Sequence, residues 1–352
     1  MNKKVQVPVI TLLLLLSSAA FAAVEGNFDR TLKVSGHVDL DVTSGSGNIY
    51  VHQGDSSSVL VKGHIKVSEG ISSWFSGSSL SADEKVKRIE QNPPIEQNGN
   101  SIRIGRIQDE ALRNNISISY DVTVPKDTSV QSHTGSGDER ITDVTGPVRA
   151  NSGSGNVIVS NVGAEVRAEA GSGDLEISNV QGRAYTQTGS GNIKATGIAG
   201  GFDARAGSGD ITFEQNGSGS VRADTGSGNV RLRNVSGGVE AGAGSGDIEV
   251  DGKMASDWRI HTGSGTVDVK LPSDARFNIN AHSNSGEVEV HHPVTMQGTQ
   301  KRNHIEGTVN GGGTLLEIDS GSGSIRVNQP REERTRGHEV NTKGHDEASA
   351  TL

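Results

Sequence analysis

Cysteine is absent from this chain of 352 residues. Disulfide bonds, thiolate metal sites and the lipoprotein route of membrane anchoring, which requires a cysteine, are therefore excluded. Aromatic residues make up only 3% of the sequence, so large rings cannot build its core. After residue 22, no apolar run approaches the roughly 20 residues that a membrane-spanning helix needs. The folded part of the chain must therefore be held together by the packing of small side chains.

Clustered positive charge is also missing. The formal net charge is −9, with 42 acidic and 33 basic residues spread along the chain. Nucleic acids and anionic lipid surfaces both attract clustered Lys and Arg, so this balance argues against both as partners. A diffuse negative charge is typical of a soluble protein and favours no ligand by itself.

The first 22 residues have the pattern of a secretory signal peptide. Lys3 and Lys4 precede an apolar run that ends at Leu16, and Ala20-Phe21-Ala22 matches the small-residue cleavage signal. We expect cleavage before Ala23 and export to the periplasm, the cell envelope or the exterior. After cleavage, no integral membrane segment is expected.

Glycine, in contrast, is abundant, with 48 residues, and much of it falls in a repeated Gly-Ser-Gly motif. The motif returns every 18 or 19 residues in the middle of the chain. The first glycines of these copies are Gly135, Gly153, Gly171, Gly189, Gly207, Gly226, Gly244 and Gly263. Further copies begin at Gly45 and Gly321, and a degraded copy begins at Asn284. A fixed period of about this length indicates a repeat architecture.

Each period contains two short segments in which apolar and polar residues alternate, the pattern of a strand with one buried face. Such a unit cannot bury its apolar face alone, but stacked copies can. We therefore predict an all-β fold, a parallel β-solenoid with coils of about 18 residues and little room inside for tryptophan. One interior column should contain Val157, Leu175, Ile193, Ile211, Val230 and Ile248.

The repeated glycines predict a sharp corner in every coil, because glycine reaches positive φ without steric cost. The serine between them can hydrogen-bond to a neighbouring backbone. A phosphate-binding loop is excluded, since no Gly-Lys-Ser/Thr and no helix follow the motif.

Aspartate and asparagine alternate strictly at the position after Gly-Ser-Gly. The residues are Asp138, Asn156, Asp174, Asn192, Asp210, Asn229 and Asp247. Stacked carboxylates would repel each other, so an intervening asparagine separates them and supplies an amide donor for the aspartates above and below. Calcium binding at Asp138, Asp174, Asp210 and Asp247 is the alternative. Because every second position is Asn, we favour a structural turn and predict no metal and no cofactor.

The period divides the chain after the signal peptide into four parts. Residues 23–62 form the first coils, 63–130 an irregular capping insertion, 131–328 the regular solenoid and 329–352 a charged, disordered tail. Within the insertion, Ser81 to Gln91 predicts a helix and Gly99-Asn100 a hairpin turn. Trp74 and Phe75 are a contact site for a partner or, as we favour, part of a cap over the open end.

Four histidines near the C-terminus are close in sequence: His282, His291, His292 and His304. Adjacent residues on a strand point to opposite faces, so His291 and His292 should chelate a metal poorly.

Three segments resemble one bacterial family. They are YDVTVPKDTSVQSHTGSGDERI (120–141), VDVKLPSDARFNINAHSNSGEVEV (267–290) and GTVNGGGTLLEIDSGSGSIRV (307–327). They are similar to the DUF4097 family of candidate adhesins, grouped with toast-rack domains, over most of residues 30–328. The resemblance implies a right-handed parallel β-solenoid at or beyond the cytoplasmic membrane, with no catalytic residues to transfer.

We therefore expect a non-enzymatic surface or periplasmic scaffold that binds an unidentified envelope, glycan or protein ligand, with end-to-end self-association as a further option. The alternative is a polysaccharide lyase or hydrolase, which needs ionisable residues that converge in a groove. An ice-binding surface is disfavoured, because only every second corner offers a threonine.

Overall fold

A computed structural model describes residues 23–68, 80–296 and 301–330. Within them, the strands form two long sheets of 14 and 15 strands, named here sheet A and sheet B. None of the described helices is long and apolar enough to span a membrane. The expected signal peptide, Trp74, Phe75 and nearly all of the expected tail lie outside the described residues.

The N-terminal part contains seven strands, an α-helix and a 3-10 helix. These are β1 (Val24–Lys33), β2 (Val38–Ser44), β3 (Ile49–Gln53), β4 (Ser58–Val67), α1 (Ala82–Gln91), β5 (Ile95–Asn98), β6 (Ser101–Ile104), the 3-10 helix (Glu110–Leu112) and β7 (Ile116–Val124).

The middle of the chain alternates between the two sheets, one strand in each per coil. Its strands are β8 (Thr128–Thr134), β9 (Glu139–Val144), β10 (Val148–Ser152), β11 (Val157–Val162), β12 (Val166–Ala170), β13 (Leu175–Val180), β14 (Ala184–Thr188), β15 (Ile193–Ile198), β16 (Phe202–Ser208), β17 (Ile211–Gln215), β18 (Val221–Ser227), β19 (Val230–Val235), β20 (Val239–Ser245), β21 (Ile248–Gly252), β22 (Trp258–Ser264) and β23 (Val267–Lys270).

The C-terminal part adds six strands. They are β24 (Phe277–Ser283), β25 (Val288–Val290), β26 (Val294–Met296), β27 (His304–Val309), β28 (Thr314–Ser322) and β29 (Ile325–Asn328).

The core lies between the two sheets and confirms the predicted β-solenoid. Like strands of successive coils pair in parallel, and Val157 aligns with Leu175, which aligns with Ile193. The same register continues through Ile211 to Val230 and Ile248. All six side chains are buried, so the predicted interior column is confirmed.

The interior accepts larger rings than expected. Trp258 is fully buried in sheet B, and its indole Nε1 donates to the Gly237 carbonyl at 2.9 Å. Phe202 and Phe213 stack across the interior with their ring centroids 4.3 Å apart. The expectation that the core has little room for tryptophan was wrong: the ring is buried, and a backbone carbonyl of the preceding coil satisfies its indole N–H.

The corner glycines have a different cause from the one expected. Positive φ occurs at only four glycines of the described Gly-Ser-Gly copies, namely Gly228, Gly246, Gly265 and Gly323. At Gly155, a Cβ atom would instead overlap with the carbonyl oxygen of Gly137 in the neighbouring coil, and the same conflict recurs along the stack. Glycine is therefore required because the backbones of stacked corners touch.

A buried hydroxyl fixes most of these corners. Thr188 Oγ1 accepts the N–H of Gly191 at 3.1 Å and donates to the Gly173 carbonyl of the preceding coil at 2.9 Å. Ser152 makes the equivalent pair of hydrogen bonds. In alternate coils this position is alanine, as at Ala206, so those corners lack the hydroxyl bonds.

The insertion closes the N-terminal end of the stack. The predicted helix is α1, which begins after Ser81, whose side chain accepts the Glu84 N–H at 3.2 Å. Its Glu90 side chain accepts the N–H of Asn27 on the outermost strand, β1. The predicted hairpin is also confirmed, as β5 and β6 pair antiparallel.

At both ends, the stacking order departs from the chain order. At the N-terminal end, β2 and β3 lie directly on β8 and β9, although the whole insertion separates them in sequence. At the C-terminal end, β28 and β29 insert between β22–β23 and β24–β25. The copy at Gly321 therefore stacks on the copy at Gly263 on one side and on the degraded copy at Asn284 on the other.

Candidate functional site

The outer face of sheet B carries charged columns that run along the stack. Arg167, Tyr185, Asp203, Arg222, Glu240 and Arg259 align in register on successive coils. Opposite charges meet in this column, for example Arg222 and Glu240 at 3.1 Å. Most of the face is therefore polar and internally paired.

A groove opens on this face near its N-terminal end. It has a volume of about 360 Å³ and is lined by side chains of Asp39, Asp41, Arg103, Gln131 and Arg149 from four neighbouring strands. A second depression of about 320 Å³ continues it across β10 and β12, sharing Gln131 and Arg149. We call the two together the outer groove.

The outer groove is lined by charges of both signs, and only some of them form salt bridges: Asp39, Asp41, Glu165, Glu169, Arg103, Arg149 and Arg167. Asp41 pairs with Arg106 at 3.0 Å, and Arg167 pairs with Glu169 at 2.7 Å. Within the described part of the chain, Arg103 and Arg149 make no salt bridge. Their guanidinium groups can therefore form bidentate hydrogen bonds to a carboxylate or a similar planar anion.

A hydrogen-bonded row of three side chains lies beside the outer groove. His37 Nδ1 is 2.8 Å from Asp127 Oδ1, and His37 Nε2 is 2.8 Å from Ser129 Oγ. The hydrogen bond to Asp127 raises the pKa of His37 above its ordinary value, and the nearby Asp39 carboxylate adds to the effect. The imidazole therefore stays protonated to a higher pH, and in that form it donates to Ser129 and cannot take its proton.

The four aspartates considered for calcium lie at one corner of the solenoid, alternating with asparagines. Asp138 Oδ1 accepts the backbone N–H of Asn156 at 2.8 Å, and Asn156 Oδ1 accepts that of Asp174 at 2.9 Å. The same bond repeats up to Asp247, which accepts from Thr266. This Asp/Asn ladder therefore continues the coil-to-coil hydrogen bonding beyond the strands.

The side-chain amides contribute less than expected to this ladder. Asn192 and Asn229 donate through Nδ2 to the aspartate of the preceding coil, at 3.3 and 3.2 Å. The main donor is the backbone N–H, which alternation alone does not reveal. One oxygen of each aspartate is therefore occupied by a backbone donor.

A second ladder, at the opposite turn, was missed by the sequence analysis. Asp143, Asn161, Asn179 and Asn234 have φ between 54° and 63°, and Gly197 takes the equivalent place with φ 68°. Asn161 Nδ2 donates to Asp143 Oδ1 at 2.8 Å. Asn, Asp and Gly are the residues that tolerate this left-handed conformation, so their recurrence before Val or Ile was the available signal.

A buried carboxylic acid was also missed. Glu139 takes an interior place between Ile49 and Val157, where other coils have aliphatic residues, and is fully buried. Burial raises the pKa of Glu139 to about 7, although its Oε2 accepts a hydrogen bond from Ser132. The sequence signal was the replacement of an aliphatic residue by Glu after Gly-Ser-Gly-Asp.

In the described ranges, no three His, Asp or Glu side chains already surround a common point as metal ligands would. His291 is exposed, whereas His292 is buried against Phe277, with ring centroids 5.7 Å apart. The two histidines thus differ in exposure, although they lie between β25 and β26 and not on a strand as the prediction assumed.

The fold and its repeated corners agree with a known family. The sequence profile described as Toastrack DUF4097 matches residues 31–328. This chain belongs to the Toastrack DUF4097 family. The resemblance noted from the sequence is therefore confirmed over nearly all described residues of this Toastrack protein. Among curated proteins, none matches it.

Three solved structures similar to this Toastrack protein are named for adhesion. A candidate adhesin from Bacteroides fragilis is 14% identical, with 86% of this chain and 97% of that chain covered and a TM-score of 0.31. One from Parabacteroides distasonis is 12% identical, with the same coverages and a TM-score of 0.27. A candidate cell adhesion protein from Clostridium sporogenes is 13% identical, with 87% and 100% covered and a TM-score of 0.20. The family assignment therefore rests on the sequence profile.

Proposed function

We propose that this Toastrack protein is exported and acts in the cell envelope as a binding scaffold without catalytic activity. The observation that carries the proposal is the outer groove, where Arg103 and Arg149 have no salt-bridge partner among the described residues. Elsewhere on this face, arginines are paired, as Arg205 is with Asp203. These two arginines lie in one row across the sheet, three strand spacings or roughly 14 Å apart, which suits an extended glycan or protein segment that carries carboxylates.

The regular stack supports this role. Side chains on parallel strands are held at the coil spacing of about 4.8 Å, so a groove built on them keeps its shape without a ligand. Ladders of hydrogen bonds at both corners hold neighbouring coils in register. A scaffold of this kind presents a long, repetitive surface to an extended ligand.

The binding proposal is tested with the mature protein on arrays of glycans and host-matrix proteins, with and without EDTA. We expect binding of acidic ligands that is insensitive to EDTA and weakens as salt increases. The double variant R103Q/R149Q should bind at least about tenfold more weakly, since a hydrogen bond to a charged group contributes roughly 1.5–3 kcal/mol. R205Q is the matched control and should bind normally. Capture of no ligand, or an equal loss in R205Q, would contradict the proposal.

Export is tested separately, by fractionation and by sequencing the N-terminus of the mature protein. We expect a protein that begins at Ala23 and is found outside the cytoplasm. A cytoplasmic protein that retains Met1 would overturn this part of the proposal and leave the groove untouched.

One observation favours the alternative, a hydrolase acting on acylated polysaccharide. The Asp127–His37–Ser129 row has the order of hydrogen bonds of a nucleophilic triad. The carboxylates of Asp127 and Asp39 argue against a hydrolase, because they raise the pKa of His37 and a protonated imidazole cannot act as a general base. Labelling with a fluorophosphonate at pH 8 decides between the scaffold and the hydrolase. Modification of Ser129 in the wild type that is lost in H37N would establish the hydrolase. If the protein is a scaffold, we expect no labelling.

A further inference from the structure

Three histidines and one aspartate lie side by side at the C-terminal end of the outer face of sheet B. The strand register aligns His261 with Asp319, Asp319 with His282, and His282 with His304. The strands β22, β28, β24 and β27 supply one residue each, and all four side chains are at least partly exposed. Because adjacent strands lie about 4.8 Å apart, neighbouring members of this histidine row can reach one ion.

The central pair already has a spacing that suits chelation. The ring centroids of His282 and His304 are 5.7 Å apart, with 66° between their planes. Two imidazoles on one tetrahedral zinc, with Zn–N bonds of about 2.0–2.1 Å, have centroids roughly 5–6 Å apart. The pair forms across strands that the sequence separates by more than 20 residues, so it differs from the adjacent pair His291-His292.

The polar neighbours of the two rings lie on the same side, at Nε2. His282 Nε2 lies 3.0 Å from the amide oxygen of Asn284, and His304 Nε2 lies 3.9 Å from the Glu306 carboxylate. The Asn284 oxygen holds the proton of His282 on Nε2 and leaves a lone pair on its Nδ1, whereas the Glu306 carboxylate, beyond hydrogen-bond distance, only favours the same arrangement in His304 electrostatically. Among the described residues, neither Nδ1 has a hydrogen-bond partner. Metal-binding histidines commonly donate their other N–H to a carbonyl or carboxylate in this way.

We propose that the histidine row binds one divalent transition-metal ion, such as Zn²⁺, Ni²⁺ or Cu²⁺, through Nδ1 of His282 and His304. Asp319, one strand away from His282, supplies a third ligand after its side chain rotates toward the ion. Water completes the coordination, since the face is open. Imidazole and carboxylate donors select these borderline cations over Mg²⁺ and Ca²⁺, which prefer sites built only of oxygen.

The test is isothermal titration of untagged mature protein with the chlorides of zinc, nickel and copper. We expect one ion per chain at neutral pH and no heat from magnesium or calcium. H282N and H304N should each weaken zinc binding at least tenfold, and D319N severalfold. Binding should weaken as the pH falls, because protons compete with the metal for the imidazole nitrogens.

The matched control is H133N, which removes an exposed histidine from the same sheet face at the other end of the stack. It should bind zinc like the wild type. Undiminished binding in the H282N/H304N double variant, or no zinc binding at 100 µM, would overturn the proposal. If the variants fail to fold, histidine modification of the wild type answers the question. Zinc should protect His282 and His304 from modification and leave His133 reactive, and equal reactivity would overturn it.

Discussion

The middle of the solenoid and its two ends stack by different rules. From β8 to β23, each coil lies on the coil that precedes it in sequence. At the N-terminal end, the strands before and after a long insertion meet directly, and at the C-terminal end the last coil inserts between two earlier ones. Every middle coil thus has a like coil on both sides, whereas the end coils do not.

The ends also change strand direction. At the N-terminal end of sheet A, the parallel pair β3–β7 is followed by the antiparallel pairs β7–β4 and β4–β1. At the C-terminal end of sheet B, the parallel pair β28–β24 is followed by the antiparallel pairs β24–β27 and β27–β26. A parallel stack exposes an edge that would accept another coil, and an antiparallel segment no longer presents a matching one. The repeat therefore determines the neighbours of a coil, and the irregular segments determine where stacking stops.

The largest expected effect comes from a methyl group between two middle corners. In Gly155→Ala, the added Cβ would overlap with the Gly137 carbonyl, and neighbouring coils on both sides resist a backbone shift. We expect a loss of at least about 4 kcal/mol of unfolding free energy. The end-coil control is Gly45→Ala, whose Cβ meets no atom within 4 Å and should cost less than about 1 kcal/mol. Equal denaturant midpoints for the two variants would refute the close-contact explanation.

A cavity should also lower the unfolding free energy more in the middle of the solenoid than at its C-terminal end. Leu175 is buried between coils on both sides, and Leu175→Ala should lower the unfolding free energy by about 3 kcal/mol. Val288 pairs in parallel with only one strand, so Val288→Ala should cost about 1 kcal/mol. Thermal unfolding of the two variants provides the measurement. A reversed order would mean that the C-terminal coil, not the middle, limits stability.

Sequence periodicity predicted the interactions that repeat, because each is made between equivalent positions of adjacent coils. The interior column through Leu175 is an example, whereas the helix after Ser81 was predicted from local signals at its two ends. It did not predict that Gly321 stacks on Gly263, since an insertion changes the neighbours without changing the motif. Nor did it predict Trp258 in the core, because its indole N–H is satisfied by a backbone carbonyl of the preceding coil, which the motif does not reveal.

The candidate site was less predictable than the fold for the same reason. Arg103 and Arg149 lie on strands that come together only because β6, β2, β8 and β10 are neighbours in sheet B. The mixed charges of the outer face were visible in the sequence, but the arginines left without a carboxylate were not. The pairing of surface charges depends on how the strands on the two sides of the insertion align, and the repeat does not predict that alignment.

Glu139 should make stability depend on pH at the junction between cap and regular stack. Its pKa is about 7 in the folded protein, because burial disfavours the charged form, and about 4.3 in an unfolded chain. Between these values the folded state binds more protons, so stability is full below about pH 4 and falls as pH rises toward 7. The difference corresponds to a loss of about 4 kcal/mol.

Unfolding experiments from pH 5 to pH 8 measure this effect. Glu139→Leu should remove the pH-dependent loss and be more stable than the wild type at pH 8, since its neighbours Ile49 and Val157 are aliphatic. Glu139→Gln, which cannot ionise, separates titration from packing and should also abolish the slope. The exposed Glu176→Gln is the control and should leave the slope unchanged. A slope that persists in Glu139→Gln would assign the titration to another group.

The smallest expected effect concerns the corner hydroxyls. Thr188→Ala removes one hydrogen bond within the corner and one to the preceding coil, which should cost about 1–2 kcal/mol. Thr188→Ser keeps the hydroxyl and should stay close to the wild type. Alanine already occupies this position at Ala206 in the next coil, so the corner backbone tolerates the change and only the bonds are lost. If Thr188→Ala were as damaging as Gly155→Ala, the corners would be held by hydroxyls and not by the contact between stacked backbones.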